Sequence, residues 1–173
     1  LALCFIISIA IKLDSRGPIL FQQDRTGRYG ASFTMLKFRS MIASETQDRS
    51  RFADRNDERI TRVGRFLRRV RLDELPQMWN VLIGDMSLVG PRPEQLGFTS
   101  RFDQLIPFYG FRHTLRPGIT GWAQVMYGYA ASDDQTRAKL EYDFFYIKHI
   151  SLWLDFVISV KTIRTIIIGS GAG

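Results

Sequence analysis

The apolar segment that opens the chain limits its fold more than any other feature. Residues 1–11 are apolar apart from Ser8, and the charged side chains of Lys12 and Arg16 follow within a few positions. As a helix this segment is about 17 Å long, whereas the hydrocarbon core of a bilayer is about 30 Å thick. It is too short to span a membrane alone. A buried core helix fits the pattern, but we favour a re-entrant or interfacial helix over residues 1–13, because the rest of the chain is strongly basic.

The overall charge indicates a phosphate-bearing partner. The 173 residues, a length typical of one domain, carry a net charge of +7. Such a surface attracts nucleic acid, anionic lipid headgroups or phosphorylated substrates, and composition does not choose among these classes. With Cys4 as the single cysteine, an internal disulfide is ruled out.

A short β-hairpin is predicted near the start of the chain. Apolar residues favour strands over 19–21 and 33–38, and the polar, glycine-bearing residues 24–30 favour a hairpin-like connection. Residues 44–56 are polar apart from Phe52, which predicts a surface loop.

Most of the remaining chain has the pattern of helices. Apolar spacing predicts a helix over 58–69 with a basic opposite side, and Ser132 is expected to cap a helix that contains a Lys139–Asp143 pair. A last helix begins near Ser151 and is too charged to be a good membrane span. We therefore predict one mostly helical α+β domain over residues 1–173, with a short hairpin and interfacial helices.

The segment around Asp73 is the strongest candidate for chemistry. Asp73 stands where the N-cap of a helix belongs, with Pro76 in the first turn and Gly84 at the end. Apolar residues of this segment recur at helical spacing: Leu75, Met78, Trp79 and Leu82. The polar residues Asp73, Gln77 and Asn80 share the opposite side.

Acidic and basic residues flank this segment in a pattern that suits phosphate chemistry. Glu74 follows Asp73, and Arg68 lies five residues before Asp73. Arg92 stands between two prolines that stiffen its segment. Paired guanidinium donors bind phosphate oxygens, and an acid at a helix N-terminus stays ionised. For any one of these residues taken alone, a cap or a solvated surface is the better interpretation. Their joint occurrence favours a site.

Several motifs in order resemble one known family, the monotopic polyprenyl-phosphate phosphoglycosyl transferases of bacteria. The resemblance extends over nearly the whole chain and rests on the motifs KFRSM at 37–41, LDELPQ at 72–77, NVL at 80–82, GDMSLVGPRP at 84–93 and RPGITGWAQ at 116–124. The segment KLEYD at 139–143 is most similar to the exopolysaccharide members. Members carry a longer re-entrant helix. Because this chain begins at Leu1, we expect a fragment that keeps the exit half of that helix, residues 1–13.

The resemblance implies a reaction and a location. Asp73 would be the nucleophile that takes a sugar-1-phosphate from a UDP-sugar, forms a phosphoaspartyl intermediate and releases UMP. Undecaprenyl phosphate, a polyprenyl phosphate, would then accept the sugar-phosphate in the first membrane step of exopolysaccharide or glycoconjugate synthesis. The expected location is the cytoplasmic face of the bacterial inner membrane, in contact with membrane lipid.

The resemblance also implies a cofactor and further site residues. Members use Mg²⁺, and Asp73 or Glu74 would lie beside it, with hard oxygen ligands that suit this ion. Lys37 would line the same pocket, and Arg39 is a weaker candidate because it falls at or past the end of its strand. Arg116 is weaker still, because packing explains it equally well. His113 and His149 match no metal-ligand spacing, so core or surface roles are expected.

Two other functions compete with this interpretation. A basic nucleic-acid-binding domain would need aromatic residues among its cations or a recognisable binding motif, and the sequence has neither, so we expect no nucleic acid partner. A non-catalytic membrane-surface module would not need Asp73, Glu74 and Arg92 together. The donor sugar is not readable from the sequence, with UDP-linked glucose or galactose as the default. The oligomeric state is open, with a homo-oligomer among the options.

Overall fold

The computed structural model describes residues 2–42, 57–128 and 132–168, so the surface loop predicted over 44–56 lies outside the described residues. Within these ranges the fold is α+β and mostly helical, as predicted. Its helices are α1 (Ala2–Asp14), α2 (Arg62–Arg69), α3 (Gln77–Leu82), α4 (Leu96–Leu105), α5 (Trp122–Met126), α6 (Asp133–Lys148) and α7 (Leu152–Ile168), and its strands are β1 (Leu20–Thr26), β2 (Ser32–Phe38), β3 (Ser87–Val89) and β4 (Gly118–Thr120).

The predicted hairpin is confirmed, but its first strand is longer than expected. Strands β1 and β2 pair antiparallel from Leu20 opposite Phe38 to Thr26 opposite Ser32. Exposure alternates along β1, with Gln22 and Asp24 exposed and Thr26 buried, so these polar residues belong to a strand and not to a turn. The connection between the strands therefore comprises residues 27–31 and not the predicted 24–30.

Helix α1 buries one side and exposes the other. Ile7 and Ile11 pack against Phe38 of β2 and Leu67 of α2, while Phe5 on the outer side is 68% exposed. None of the helices in the three described ranges is long and apolar enough to cross a membrane.

Helix α2 begins at Arg62 and not at position 58, because Thr61 caps it. The Thr61 hydroxyl accepts a hydrogen bond from the Gly64 N–H over 2.9 Å. Gly64 lies directly against the backbone carbonyl of Ser40, where any Cβ would clash, so the helix approaches the end of β2 closely. This contact, together with the packing of Leu67 on Phe38, holds α2 against the end of the hairpin.

Asp73 does not cap helix α3, which corrects the sequence prediction. Asp73 lies in a 3₁₀ turn, Leu72–Glu74, and α3 begins after Pro76 with no side-chain cap. The predicted helical spacing is confirmed, and the polar side is the buried one. Asn80 explains this burial, because its amide accepts from the Leu36 N–H over 3.1 Å and donates to the Thr34 carbonyl over 2.9 Å.

The C-terminal half packs three helices around a short parallel strand pair. Strands β3 and β4 are parallel, and Val89 of β3 packs with Tyr146 of α6 and Ile158 of α7. Ser132 caps α6 as predicted, with its hydroxyl accepting from the Gln135 N–H. The predicted Lys139–Asp143 pair is replaced by contacts across the fold, because Lys139 meets Glu94 and Asp143 meets Arg112.

Candidate active site

Two buried acids meet basic side chains from three different segments. Asp73 and Glu74 are only 7% and 8% exposed, and they lie in the 3₁₀ turn between α2 and α3. Arg71 opens this turn in the left-handed conformation, with φ 58° and ψ 18°. A non-glycine residue is uncommon there, and such backbone strain is often found at functional sites.

Glu74 is the centre of the ionic contacts. Its Oε1 accepts from Arg92 Nη2 over 2.6 Å and from Lys37 Nζ over 3.0 Å, and Arg71 Nη1 lies 3.9 Å away. Burial alone would raise the pKa of Glu74, but the nearby charges of Arg92 and Lys37 hold that pKa well below its usual value. Glu74 is therefore ionised and fixed in place at neutral pH.

Lys37 and Arg92 join strand β2 to the segment after β3. Burial lowers the pKa of the Lys37 ammonium, against the opposing effect of Glu74. The carboxylate of Glu74 raises the pKa of Arg92, against the effect of burial. The predicted residues Lys37, Glu74 and Arg92 are thus brought together by direct contacts, although they come from distant parts of the sequence.

Asp73 differs from its neighbour Glu74, because one of its oxygens is buried and unpaired. Asp73 Oδ1 has no hydrogen-bond partner, and neither does the buried Nη1 of Arg68. Burial raises the pKa of Asp73, while the charges of Lys37 and Arg68 act to lower it. An unpaired carboxylate oxygen among cations is an arrangement suited to attack on a phosphorus atom.

A second ionic network, which the sequence does not predict, holds the backbone that carries Arg92. Arg112 Nη2 donates to the Arg92 carbonyl over 2.9 Å, and Arg112 Nε donates to Asp143 Oδ2 over 3.0 Å. Tyr109 accepts from Arg112 Nη1 over 2.8 Å. Arg112 and Asp143 are 31 positions apart in the sequence, so no local pattern announces their pairing.

Arg39 and Arg116 lie outside this cluster. The guanidinium of Arg39 donates to the carbonyls of Ser15 and Arg16, each over 2.7 Å, and so binds the end of α1. Strand β2 ends before Arg39, so its side chain does not share the face of Lys37. Arg116 is exposed, with its guanidinium near Gly84.

The two histidines have the structural roles that were expected. His113 is buried, and burial lowers its pKa to about 4. His149 is exposed at the end of α6, where its ring stacks on Phe145 with centroids 4.3 Å apart.

The acid pair supplies oxygen donors of the type that Mg²⁺ uses. Among the residues that the structure describes, no group of three or more His, Cys, Asp or Glu side chains is arranged to hold a metal ion. Mg²⁺ bound to a phosphorylated substrate commonly uses only one or two carboxylates, with substrate phosphates completing its shell. The unpaired Oδ1 of Asp73, next to Glu74, supplies a donor of that kind.

Comparison with known proteins defines the class. The family of bacterial sugar transferases matches residues 1–169, and this chain belongs to that family. The match covers the acid pair, the Arg92 segment and both ionic networks.

Named relatives share this region. A UDP-N-acetylgalactosamine-undecaprenyl-phosphate N-acetylgalactosaminephosphotransferase of Aeromonas hydrophila is 56% identical over 165 residues, covering 95% of this chain and 39% of the relative. A UDP-glucose:undecaprenyl-phosphate glucose-1-phosphate transferase of Escherichia coli K12 is 44% identical over 159 residues, covering 91% of this chain and 34% of the relative. The chain thus spans between one third and two fifths of the length of these two relatives.

Proposed function

We propose that this chain transfers a sugar-1-phosphate from a UDP-sugar to undecaprenyl phosphate and releases UMP. The observation that carries the proposal is the contrast within the acid pair. Glu74 is fixed by Lys37 and Arg92, whereas Asp73 presents a buried oxygen without a partner. The names of the two relatives describe transfer of this kind.

In the first step Asp73 is the nucleophile. Its carboxylate oxygen attacks the phosphorus that carries the sugar, and the bond from that phosphorus to the bridging oxygen breaks. UMP leaves with the bridging oxygen and its electron pair, and the sugar-phosphate remains bound to Asp73 as an acyl phosphate. In the second step an oxygen of undecaprenyl phosphate attacks the same phosphorus. The bond to Asp73 breaks, which frees the carboxylate and forms a lipid diphosphate-sugar.

The basic side chains offset the negative charge of two anions that react with each other. Arg68 offers a buried, unpaired Nη1 beside Asp73, so it is the first candidate for a phosphate contact. Arg92 and Lys37 keep Glu74 ionised. The Glu74 carboxylate in turn holds these two positive charges close to the site. Groups held in place before the reaction lower the barrier most effectively.

Asp73 and Glu74 would hold Mg²⁺ together with substrate phosphates. When bound, this ion supplies further charge neutralisation at the diphosphate. Glu74 already contacts Lys37 and Arg92 through Oε1, so it would also keep these two side chains oriented in the site.

We also propose that the protein lies on the cytoplasmic face of the bacterial inner membrane without crossing it. Helices α1, α3 and α7 all expose large apolar side chains, among them Phe5, Trp79 and Trp153 at 68%, 58% and 72% exposure. Helix α2 packs against α1 and exposes a basic row made of Arg62, Arg65 and Arg69. Apolar insertion and attraction to anionic headgroups would both contribute to such binding.

A UMP-release assay tests the proposed reaction. The full-length protein in membranes or detergent is incubated with undecaprenyl phosphate and, in turn, UDP-N-acetylgalactosamine, UDP-glucose and UDP-galactose. We expect UMP release with at least one donor, loss of release after chelation and recovery with Mg²⁺. UDP-N-acetylgalactosamine is the first donor to test, because the Aeromonas relative named for that sugar is 56% identical. Failure of all UDP-sugars would reject the proposal.

A further inference from the structure

The side chain of Gln77 is buried completely and uses none of its hydrogen-bonding capacity. Its relative exposure is 0%, and neither Nε2 nor Oε1 has a partner. Buried amides are nearly always hydrogen-bonded, because an unpaired buried polar group destabilises the fold. An exception of this kind in a folded chain calls for an explanation.

Two residues that flank Gln77, Glu74 and Asn80, make hydrogen bonds to strand β2. Asn80, three residues later, binds the backbone of β2 through its amide. Glu74, three residues earlier, binds Lys37 of the same strand. The backbone between Glu74 and α3 is helical, so these residues share one face and Gln77 lies between two contacts to β2.

Gln77 is also close in the chain to the proposed nucleophile. Asp73 precedes Gln77 by four residues, about one helical turn. Arg68 Nη1, Asp73 Oδ1 and both polar atoms of Gln77 are all buried without partners, and all come from residues 68–77. Three unpaired side chains within one short stretch indicate a place that a polar ligand completes.

We propose that Gln77 is a substrate-contacting residue whose Nε2 donates a hydrogen bond to an oxygen of the phosphoryl group that Asp73 attacks. The inference rests on the proposed function and adds a contact to it. An amide suits this position because it is neutral. A lysine or arginine there would form an ion pair with Asp73 and weaken the nucleophile, whereas an amide N–H binds a phosphoryl oxygen and leaves the Asp73 carboxylate free.

The test measures stability and rate on the same variant. If Gln77 contacts the substrate, its replacement lowers the rate without lowering the stability. Gln77→Leu replaces the amide by an apolar side chain of similar size and removes both unpaired atoms. Such a change is neutral or stabilising in a buried site where the polar group served no partner. We expect a Tm equal to or above that of the wild type, together with a fall in kcat of about a hundredfold, as for loss of one donor to a developing oxyanion.

Controls separate this inference from the proposed function. The exposed Gln104 of α4 provides the matched variant Gln104→Leu, which should leave kcat unchanged. Gln77→Met repeats the test with an unbranched side chain if Gln77→Leu fails to fold. If wild-type protein releases UMP and a folded Gln77 variant keeps the wild-type kcat, the amide is a packing or water-binding group and the inference is wrong. If the wild type releases no UMP, the proposed function itself fails.

Discussion

The guanidinium of Arg112 joins Asp143 of α6 to the backbone carbonyl of Arg92, through hydrogen bonds of 3.0 Å and 2.9 Å. Burial alone would lower the pKa of Arg112, but the Asp143 carboxylate raises that pKa above its usual value. Arg112 therefore stays charged, and the segment that presents Arg92 to Glu74 is held by a buried ion pair. The geometry of the acid pair depends on a contact between two distant parts of the chain.

Breaking this pair should affect stability and catalysis together. Removal of one partner leaves an uncompensated buried charge, so Asp143→Ala is expected to lower the free energy of unfolding by about 3–5 kcal/mol in denaturant titrations. The exposed pair Arg101–Asp133 supplies the control, and Asp133→Ala should cost less than about 1 kcal/mol.

A double-mutant cycle checks whether Arg112 acts through Arg92. If it does, Arg112→Lys should lower kcat/KM in the wild type but much less in the Arg92→Ala background. Equal losses in both backgrounds would show that Arg112 supports the fold in general and not this segment.

Asp73→Asn should abolish turnover and leave no sugar-phosphate bound to the protein. The amide keeps the shape of the buried side chain but is not a nucleophile, so the Tm should stay near that of the wild type. Radiolabelled donor, followed by denaturing electrophoresis of the quenched protein, measures the adduct. Near-normal UMP release by the variant would rule out Asp73 as the nucleophile. Glu74→Gln should also be strongly impaired, because it removes the charge that Arg92 and Lys37 bind.

The basic residues of the site should differ sharply from basic residues elsewhere. Loss of one charge-assisted contact that tightens in the transition state costs roughly 3 kcal/mol, or about a hundredfold in rate. Arg68→Ala and Arg92→Ala should each approach this loss in kcat/KM. Arg101→Ala, on the exposed surface, should not. Three equal effects would indicate a role for bulk charge instead of a defined phosphate site.

The pH dependence of stability should include a contribution from His113. Its pKa is lowered to about 4 in the folded protein by burial, from an ordinary value of 6.5. Between these values the unfolded chain binds a proton that the folded chain does not, so stability falls as the pH drops from about 6.5 towards 4. His113→Gln should flatten the Tm profile in this window relative to the wild type. Parallel profiles for the two proteins would contradict the assignment.

Local signals made much of the fold predictable from the sequence. Ser132 as a cap and Gly84 as the end of α3 were recognisable because each acts on residues next to it. The start of α2 was placed too early, because the charged residues before Thr61 do not interrupt a helical pattern. The sequence wrongly predicts a cap at Asp73, because it does not reveal that Arg71 adopts a left-handed conformation at the start of a 3₁₀ turn.

The acid pair and its direct partners could also be predicted, since motif resemblance pointed to Lys37, Glu74 and Arg92 and the structure brings them together. The contacts that hold these residues in place could not be predicted. Arg112 and Asp143 are brought together by the packing of α6 against the segment that carries Arg112, which is a property of the tertiary fold.

Binding to a membrane face should separate into an apolar part and an electrostatic part. Trp79 and Leu82 are 58% and 76% exposed on α3, so replacing both by Ser should weaken binding to vesicles even at high salt. Replacing the basic row of α2 by Gln, at Arg62, Arg65 and Arg69, should weaken binding to anionic vesicles mainly at low salt. Co-sedimentation with anionic and zwitterionic vesicles of equal size measures both effects, and the exposed variant Gln104→Leu is the control.

The topology of the chain relative to the bilayer gives a sharper check of the proposed location. Single cysteines introduced in a Cys4→Ser background at Arg16, just after α1, and at Arg164 of α7, both exposed and charged, should react with an impermeant reagent from the same side of a sealed vesicle. Reaction from opposite sides would mean that the chain crosses the bilayer, against the proposed location.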